Sequence, residues 1–169
     1  MKSRTVLSAV ILSCVLSGCG GSGTTVIPDF DPAKVSGTYS GSWHNLTFGT
    51  TGSADLTATA DTVAKTASLT LTLGGNVFGS PGAAPLTITG SYSGSSYSGT
   101  ASSNTTFGNV TLTIDGNGNI IGQATNIPGG TVSSMTFQGS VSGKTITLNY
   151  TVVLVAGGTA SGTVVVTRP

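Results

Sequence analysis

From Val35 almost to the last residue, apolar and polar side chains alternate with a period of two. In residues 35–44, one parity carries Val, Gly, Tyr, Gly and Trp, and the other carries Ser, Thr, Ser, Ser and His. Such alternation is typical of β-strands with one face in a core and one face in solvent. No segment of this region shows a helical period with caps. The pattern therefore predicts an all-β fold.

The alternation recurs in about ten segments, separated by residues typical of turns. Residues 115–119 (Asp-Gly-Asn-Gly-Asn) and 142–144 (Ser-Gly-Lys) are examples of such connections. Connections this short make consecutive strands antiparallel, which predicts an up-and-down meander. Residues 74–85 form a longer connection with two prolines, which we expect to cover one end of the sheet. The apolar parities span residues 35–43, 54–60, 67–73, 86–92, 97–101, 110–114, 120–124, 135–141, 146–154 and 160–166.

Glycines fall repeatedly on the apolar parity, for example Gly41, Gly90, Gly139 and Gly162. Inward glycines remove bulk and let strands bend, as a closed sheet requires. The sequence therefore favours a closed antiparallel barrel of about ten strands. A β-sandwich stays open as the alternative, because bulges would produce the same pattern.

The N-terminus has a different organisation. Lys2 and Arg4 precede an apolar run over residues 5–16, and Leu16-Ser17-Gly18-Cys19 closes it. This order of basic head, apolar core and small-residue exit predicts a secretory signal peptide. As a helix the run would measure about 18 Å, which is too short for a hydrocarbon core of about 30 Å.

The exit sequence resembles the lipobox of bacterial lipoproteins. The resemblance implies that Cys19 is acylated and becomes the N-terminus after residues 1–18 are removed, so that a lipid anchor holds the protein at the cell envelope. Gly20 after the cysteine implies the outer membrane if the organism is Gram-negative. An ordinary secreted protein with a free Cys19 thiol is the alternative. The expected domains are a signal peptide (1–18), a lipidated cysteine with a flexible Gly/Ser/Pro tether (19–34) and a barrel (35–169).

Charge is scarce, at 7% of residues. After loss of Lys2 and Arg4 the net charge is about −1, without a basic patch, so nucleic acid is not an expected partner. Cys14 would be removed and Cys19 lipidated, which leaves packing and sheet hydrogen bonds, rather than a disulfide, to hold the domain.

Gly41-Ser42-Trp43 on the first strand and Arg168 after the last resemble the lipocalin (calycin) arrangement. There, an Arg or Lys from the final strand lies over the tryptophan of the first and closes one barrel end. The resemblance implies a lipocalin-like barrel with a structural cation–π pair between Trp43 and Arg168. Gly37-Thr38-Tyr39 is similar to the first strand of avidin-like barrels, but their biotin pocket needs several tryptophans and this chain has one.

Residues able to perform catalysis are few. His44 lies on the polar parity of its strand, the sequence has no Glu, and its aspartates lie in the tether, in turns or on polar parities. Asp115, Asn117 and Asn119 match the start of a calcium loop, but Ile120 and Asn126 occupy the positions of its glycine and bidentate Glu, which favours a hairpin turn. We therefore expect no enzymatic activity, no metal and no cofactor.

The remaining functional prediction concerns the barrel interior. Six aromatic side chains share the inward parity and would line a cavity for a small, mostly apolar ligand, or fill the interior completely. A structural or protein-interaction module, acting through a sheet edge or a Thr/Ser-rich face, is the second hypothesis. The six residues are Tyr39, Trp43, Tyr92, Tyr97, Phe137 and Tyr150.

Overall fold

The computed structural model describes residues 26–169, and these form a closed antiparallel barrel of ten strands. The predicted signal peptide and Cys19 lie outside the described residues. The elements are α1 (Pro32–Val35), β1 (Gly37–Asn45), β2 (Thr51–Asp61), β3 (Thr66–Leu73), β4 (Asn76–Val77), β5 (Ser80–Pro81), β6 (Leu86–Ser93), β7 (Ser96–Asn104), β8 (Gly108–Asp115), β9 (Asn119–Thr125), β10 (Val132–Ser142), β11 (Thr145–Leu154) and β12 (Thr159–Thr167).

Ten of the strands form the barrel in chain order, with β1 pairing β2 on one side and β12 on the other. The strands β4 and β5 form a separate two-stranded ribbon within the connection from β3 to β6. This confirms the predicted all-β, up-and-down, closed architecture and removes the sandwich alternative. All ten barrel strands are paired on both sides, which leaves no open edge among them.

The alternation of the sequence corresponds to the two faces of the barrel wall. In β2, for example, Ala54, Leu56 and Ala58 are buried while the residues between them are exposed. The interior is therefore apolar, and Ser and Thr dominate the outward positions. No helix among residues 26–169 has the length and apolarity needed to cross a lipid bilayer.

The segment before β1 covers one end of the barrel, which we call the closed end. It comprises residues 28–36 and lies against the turns β6–β7 and β8–β9. The backbone N–H of Phe30 donates to Gly94 O (2.9 Å), and Gly116 approaches Pro28 so closely that a β-carbon would overlap the Pro28 carbonyl. Asp31 caps the N-terminus of α1 by accepting from Ala33 N (3.0 Å).

This packing corrects the predicted boundary of the barrel domain. The sequence predicts a flexible tether over residues 19–34, but Phe30, which lies within that range, is only 7% exposed. Its ring centroid lies 5.5 Å from that of Tyr92 and 6.0 Å from that of Tyr97. The folded domain therefore begins before Phe30, because this side chain buries apolar surface that the barrel end would otherwise expose.

The opposite end, which we call the mouth end, carries the other connections: residues 46–50, 74–85, 105–107, 126–131 and 155–158. The ribbon β4–β5 folds over part of it, as expected for the long connection. Val77 is buried there, and Phe78 packs edge-on against Phe107 with 5.7 Å between ring centroids. Ala84 N also donates to Thr106 Oγ1 (2.9 Å), which ties the connection to the neighbouring loop.

Candidate functional site: an apolar cavity inside the barrel

A cavity of about 480 Å³ occupies the barrel interior. It extends from Val35 and Val166 near the closed end to Phe48, Thr50 and Thr131 at the mouth end. The last three side chains are partly or largely exposed, so the cavity reaches solvent at the mouth. Its volume lies within the range of about 300–1,000 Å³ typical of small-molecule sites.

Aliphatic side chains form most of the cavity wall. Among the residues that the structure describes, none of those lining the cavity carries a formal charge. The polar groups of the lining all lie toward the mouth. They are the side chains of Asn45, Thr50, Asn76 and Thr131 and the polar atoms of Trp43 and Tyr150. The aliphatic lining includes Leu56, Leu69, Leu71, Leu86, Ile88, Leu112, Met135, Leu148, Val152 and Val164.

Three of the six predicted aromatic residues, Trp43, Phe137 and Tyr150, line this cavity. Trp43 Nε1 donates to Gly74 O (2.7 Å), so its polar atom is used within the wall and fixes the start of the long connection. Tyr150 Oη donates to His44 O at 3.4 Å. Burial raises the pKa of Tyr150, although a hydrogen bond with Asn45 acts in the opposite direction. Tyr150 is therefore a neutral hydrogen-bonding group at neutral pH.

These three aromatic rings lie along the wall, each over a glycine of a neighbouring strand. Phe137 pairs with Gly122, Tyr150 with Gly162, and Trp43 with Gly52. A β-carbon at any of these glycines would overlap the facing ring. Aromatic rings that cover strand glycines are a known means of stabilising a curved sheet. Because the rings lie flat along the wall, the cavity remains at the centre of the barrel although large side chains point inward.

The other three predicted residues, Tyr39, Tyr92 and Tyr97, do not line the cavity but pack the closed end. Tyr39 Oη donates to Val35 O (3.0 Å), and Tyr92 Oη donates to Asp61 O (3.2 Å). Tyr97 is fully buried with long contacts from its hydroxyl to Ala67 O (3.4 Å) and Ile88 O (3.5 Å). Burial raises the pKa of Tyr97 to about 12.

The structure also corrects the pairing expected between Trp43 and Arg168. Trp43 faces Val164, whereas Arg168 lies beyond the end of β12, at the level of Tyr39. The Arg168 guanidinium lies 5.8 Å from the centroid of the Tyr39 ring. Its Nη1 donates to Ser36 O (2.7 Å), which turns the side chain toward the closed end and away from Trp43. Arg168 thus holds the N-terminal segment, and Tyr39 takes the place expected of the tryptophan.

The residues considered for catalysis lie on the outside. His44 is exposed on the outer face of β1. Asp115 forms the β8–β9 hairpin turn, where its carboxylate accepts from Asn119 N and Nδ2, both at 2.8 Å. Desolvation acts to raise the pKa of Asp115, but these bonds and those from the turn backbone outweigh it and lower the pKa. Within residues 26–169, no three metal-ligating side chains of the His, Cys, Asp and Glu types cluster.

The sequence did not identify several wall residues. Leu69, Leu71 and Leu148 line the cavity and lie on the inward parity, but alternation alone does not distinguish them from the other inward aliphatic residues. Phe48 and Phe78 lie in connections, where alternation gives no information about orientation. No protein-family model matches the chain, and comparisons with curated proteins and with solved structures likewise return no match.

Proposed function

We propose that this protein is a lipid-anchored barrel of the bacterial cell envelope that binds a small, uncharged, apolar molecule and performs no catalysis. The observation that carries the proposal is the cavity of about 480 Å³, with aliphatic walls and no formal charge among the described lining residues. The aliphatic side chains that line this cavity make fewer packing contacts than they would in a filled core. A ligand that occupies the space regains those contacts.

The distribution of polar groups supports an amphipathic orientation for the ligand. The deep wall near Val166 and Ile114 is aliphatic, whereas Asn45, Asn76 and Thr131 lie near the mouth. A molecule with an apolar body and one neutral polar group would bury its body and leave the polar group at the mouth. A carboxylate or ammonium in the deep part would be desolvated without an opposite charge, at a cost of several kcal/mol.

The anchor is proposed on the basis of the Leu16-Ser17-Gly18-Cys19 sequence. The described chain enters the barrel at the closed end, through residues 28–36. The residues between Cys19 and Pro28 span at most about 30 Å when extended. An anchored barrel would therefore be tethered through its closed end. The outer membrane is the proposed location in a Gram-negative organism.

A non-enzymatic role is proposed because the side chains suited to acid–base chemistry are separated from the cavity. His44 and the aspartates lie on the outer wall, in turns or in the N-terminal segment, and none of them lines the cavity. General acid–base catalysis needs such groups within hydrogen-bond reach of the bound substrate.

The alternative proposal, a structural or protein-interaction module of the envelope, has weaker support. Closure of the barrel removes the sheet edge through which a strand could be added. The Thr/Ser-rich outer face remains as a possible contact surface. Its exposed aliphatic residues, Ile121, Val153 and Val165, are single side chains on different strands, and scattered residues of this kind are common on ordinary surfaces.

Native mass spectrometry of the full chain purified from its own envelope, beside its Cys19→Ser variant, tests this proposal. We expect a co-purifying apolar molecule with both proteins, and a lipid-modified N-terminus with the wild type alone. Barrels that carry no molecule, together with no binding of added apolar probes, would contradict the ligand-binding role. An unmodified Cys19 would contradict the anchor and leave the binding role intact.

A further inference from the structure

Charged side chains are concentrated at one end of the barrel. With the exception of Asp55, which lies midway along β2 on the outer face, each charged residue of the described chain lies at the closed end. The connections of the mouth end, by contrast, contain no Asp, Glu, Lys or Arg. The charged residues of the closed end are Asp29, Asp31, Lys34, Asp61, Lys65, Asp115, Lys144 and Arg168.

The uncharged mouth end exposes large apolar side chains. Leu46 and Phe48, in the β1–β2 connection, are each 61% exposed, and Val155, in the β11–β12 connection, is 60% exposed. These two connections are neighbours because β12 lies between β1 and β11 in the barrel. We call Leu46, Phe48 and Val155 the apolar rim. Phe48 also lines the cavity, so the apolar rim is continuous with the cavity wall.

The rim is held in place by hydrogen bonds to the barrel. Leu46 N donates to Ser161 O (2.8 Å), and Val155 N donates to Thr131 O (3.0 Å). Asn45 Oδ1 accepts from Thr47 N (3.0 Å) and Phe48 N (2.9 Å), which fixes the β1–β2 turn. The backbone N–H groups of Leu46, Phe48 and Val155 are therefore satisfied within the protein. The side chains are presented outward without an unpaired N–H beside them.

We propose that the apolar rim docks the mouth of the barrel onto the surface of a lipid bilayer. Exposed apolar groups grouped at one place mark interaction surfaces. Insertion of Leu, Phe and Val side chains below the head groups buries apolar area, and the absence of charged groups around them removes the main cost of approach to the hydrocarbon. A docked mouth would let an apolar molecule pass between bilayer and cavity without crossing water.

A lipid surface fits the rim better than a protein partner or a second copy of this chain. The three side chains expose an area on the order of 300 Å², whereas each side of a stable protein interface buries about 800 Å². The mouth loops also lack the charged groups that commonly set partner choice between proteins. The segment before β1 packs at the closed end and leaves the rim uncovered within the described chain.

The test uses residues 26–169, which contain the whole closed barrel and its core and lack Cys19. Flotation with vesicles of phosphatidylcholine alone measures binding. We expect the wild-type barrel to float with the vesicles, with little dependence on salt. The triple variant Leu46→Ser, Phe48→Ser, Val155→Ser should bind at least about tenfold more weakly, since each side chain contributes apolar burial.

Val63→Ser is the matched control. Val63 is 93% exposed but lies at the closed end, between Asp61 and Lys65, and its replacement should leave flotation unchanged. Absence of flotation, equal loss in the control, or binding restricted to anionic vesicles would overturn the proposal. A stable wild-type dimer that the triple variant dissociates would also overturn it, because a second copy would then occupy the rim. The double variant Leu46→Ser, Val155→Ser leaves the cavity-lining Phe48 in place. It should float more weakly than the wild type and still bind an apolar probe, so that docking and ligand binding are tested separately.

Discussion

Arg168 Nη1 donates a hydrogen bond of 2.7 Å to the carbonyl of Ser36, and so joins the residue after the last strand to the residue before the first. A second, longer bond reaches Ala33 O at 3.3 Å, and the guanidinium lies over the Tyr39 ring. These contacts hold the segment that closes one end of the barrel. The cavity is therefore a pocket with one mouth, because the N-terminal segment and the side chains packed against it block the opposite end.

Replacement of Arg168 by Met should lower the free energy of unfolding by about 1–2 kcal/mol. The substitution keeps much of the aliphatic stem and removes a charge-assisted hydrogen bond and the contact with Tyr39. Urea denaturation measures the change. Lys144→Met is the control, because Lys144 is exposed in the neighbouring β10–β11 turn. Equal stability of the Arg168 variant and the wild type would contradict a role of Arg168 in holding the segment.

Phe30→Ala should cost about 3 kcal/mol, since it removes a buried ring packed against two tyrosines. We expect faster amide exchange at the Phe30 N–H, which bonds Gly94 O, in addition to the loss of stability. Phe48→Ala at the mouth is the control, because that ring is largely exposed and should change stability by less than about 0.5 kcal/mol. Similar losses for both variants would contradict the packed closed end.

Stability should fall above pH 10. The pKa of Tyr97 is about 12 in the folded protein and about 10 in an unfolded chain. The folded state therefore keeps the Tyr97 proton where the unfolded state releases it. The resulting stabilisation is complete below pH 10 and is lost as pH rises toward 12, up to about 2–3 kcal/mol. Tyr97→Phe should be nearly neutral at pH 7, because the hydroxyl makes only long contacts, and should flatten this alkaline decline. If the stability of Tyr97→Phe fell equally steeply above pH 10, the alkaline loss of stability would come from other titrating groups.

Gly99→Ala tests the packing of aromatic side chains around inward glycines. A β-carbon at Gly99 would overlap the Tyr97 hydroxyl and ring and the Ile88 side chain, without a backbone atom among its nearest contacts. We expect a loss of about 1–3 kcal/mol. The loss should shrink in a Tyr97→Leu background, which a double-mutant cycle measures. Ser98→Ala, on the outer face of the same strand, is the control. Additive effects of the Gly99 and Tyr97 substitutions would contradict the overlap.

The architecture was predictable because it follows from local chemistry. The period of two fixed which side chains face inward, and turns such as residues 115–119 fixed the antiparallel order of the strands. Inward glycines then favoured closure. The helix α1 and the ribbon β4–β5 were not predicted, since each is too short to show a period and depends on packing against the barrel.

The site was only partly predictable. Parity placed Trp43, Phe137 and Tyr150 inside the barrel, but parity does not give a residue's height along the barrel axis. Tyr39, Tyr92 and Tyr97 share the inward parity and lie at the closed end, where Phe30 and α1 cover them. The size of the cavity follows from the cross-strand register, because register determines which glycine each ring covers. That register is a property of the folded sheet.

The central claim is that the barrel cavity binds an uncharged apolar ligand. Titration of residues 26–169 with N-phenylnaphthylamine, an uncharged apolar dye, tests it most directly, with dye emission and quenching of Trp43, the single tryptophan, as two readouts. Val164→Phe adds bulk inside the cavity, and Val165→Phe adds the same bulk on the outer face of the same strand. We predict saturable one-to-one binding that Val164→Phe weakens by about tenfold or more and Val165→Phe leaves unchanged. No saturable binding, or equal binding by both variants, would contradict the account.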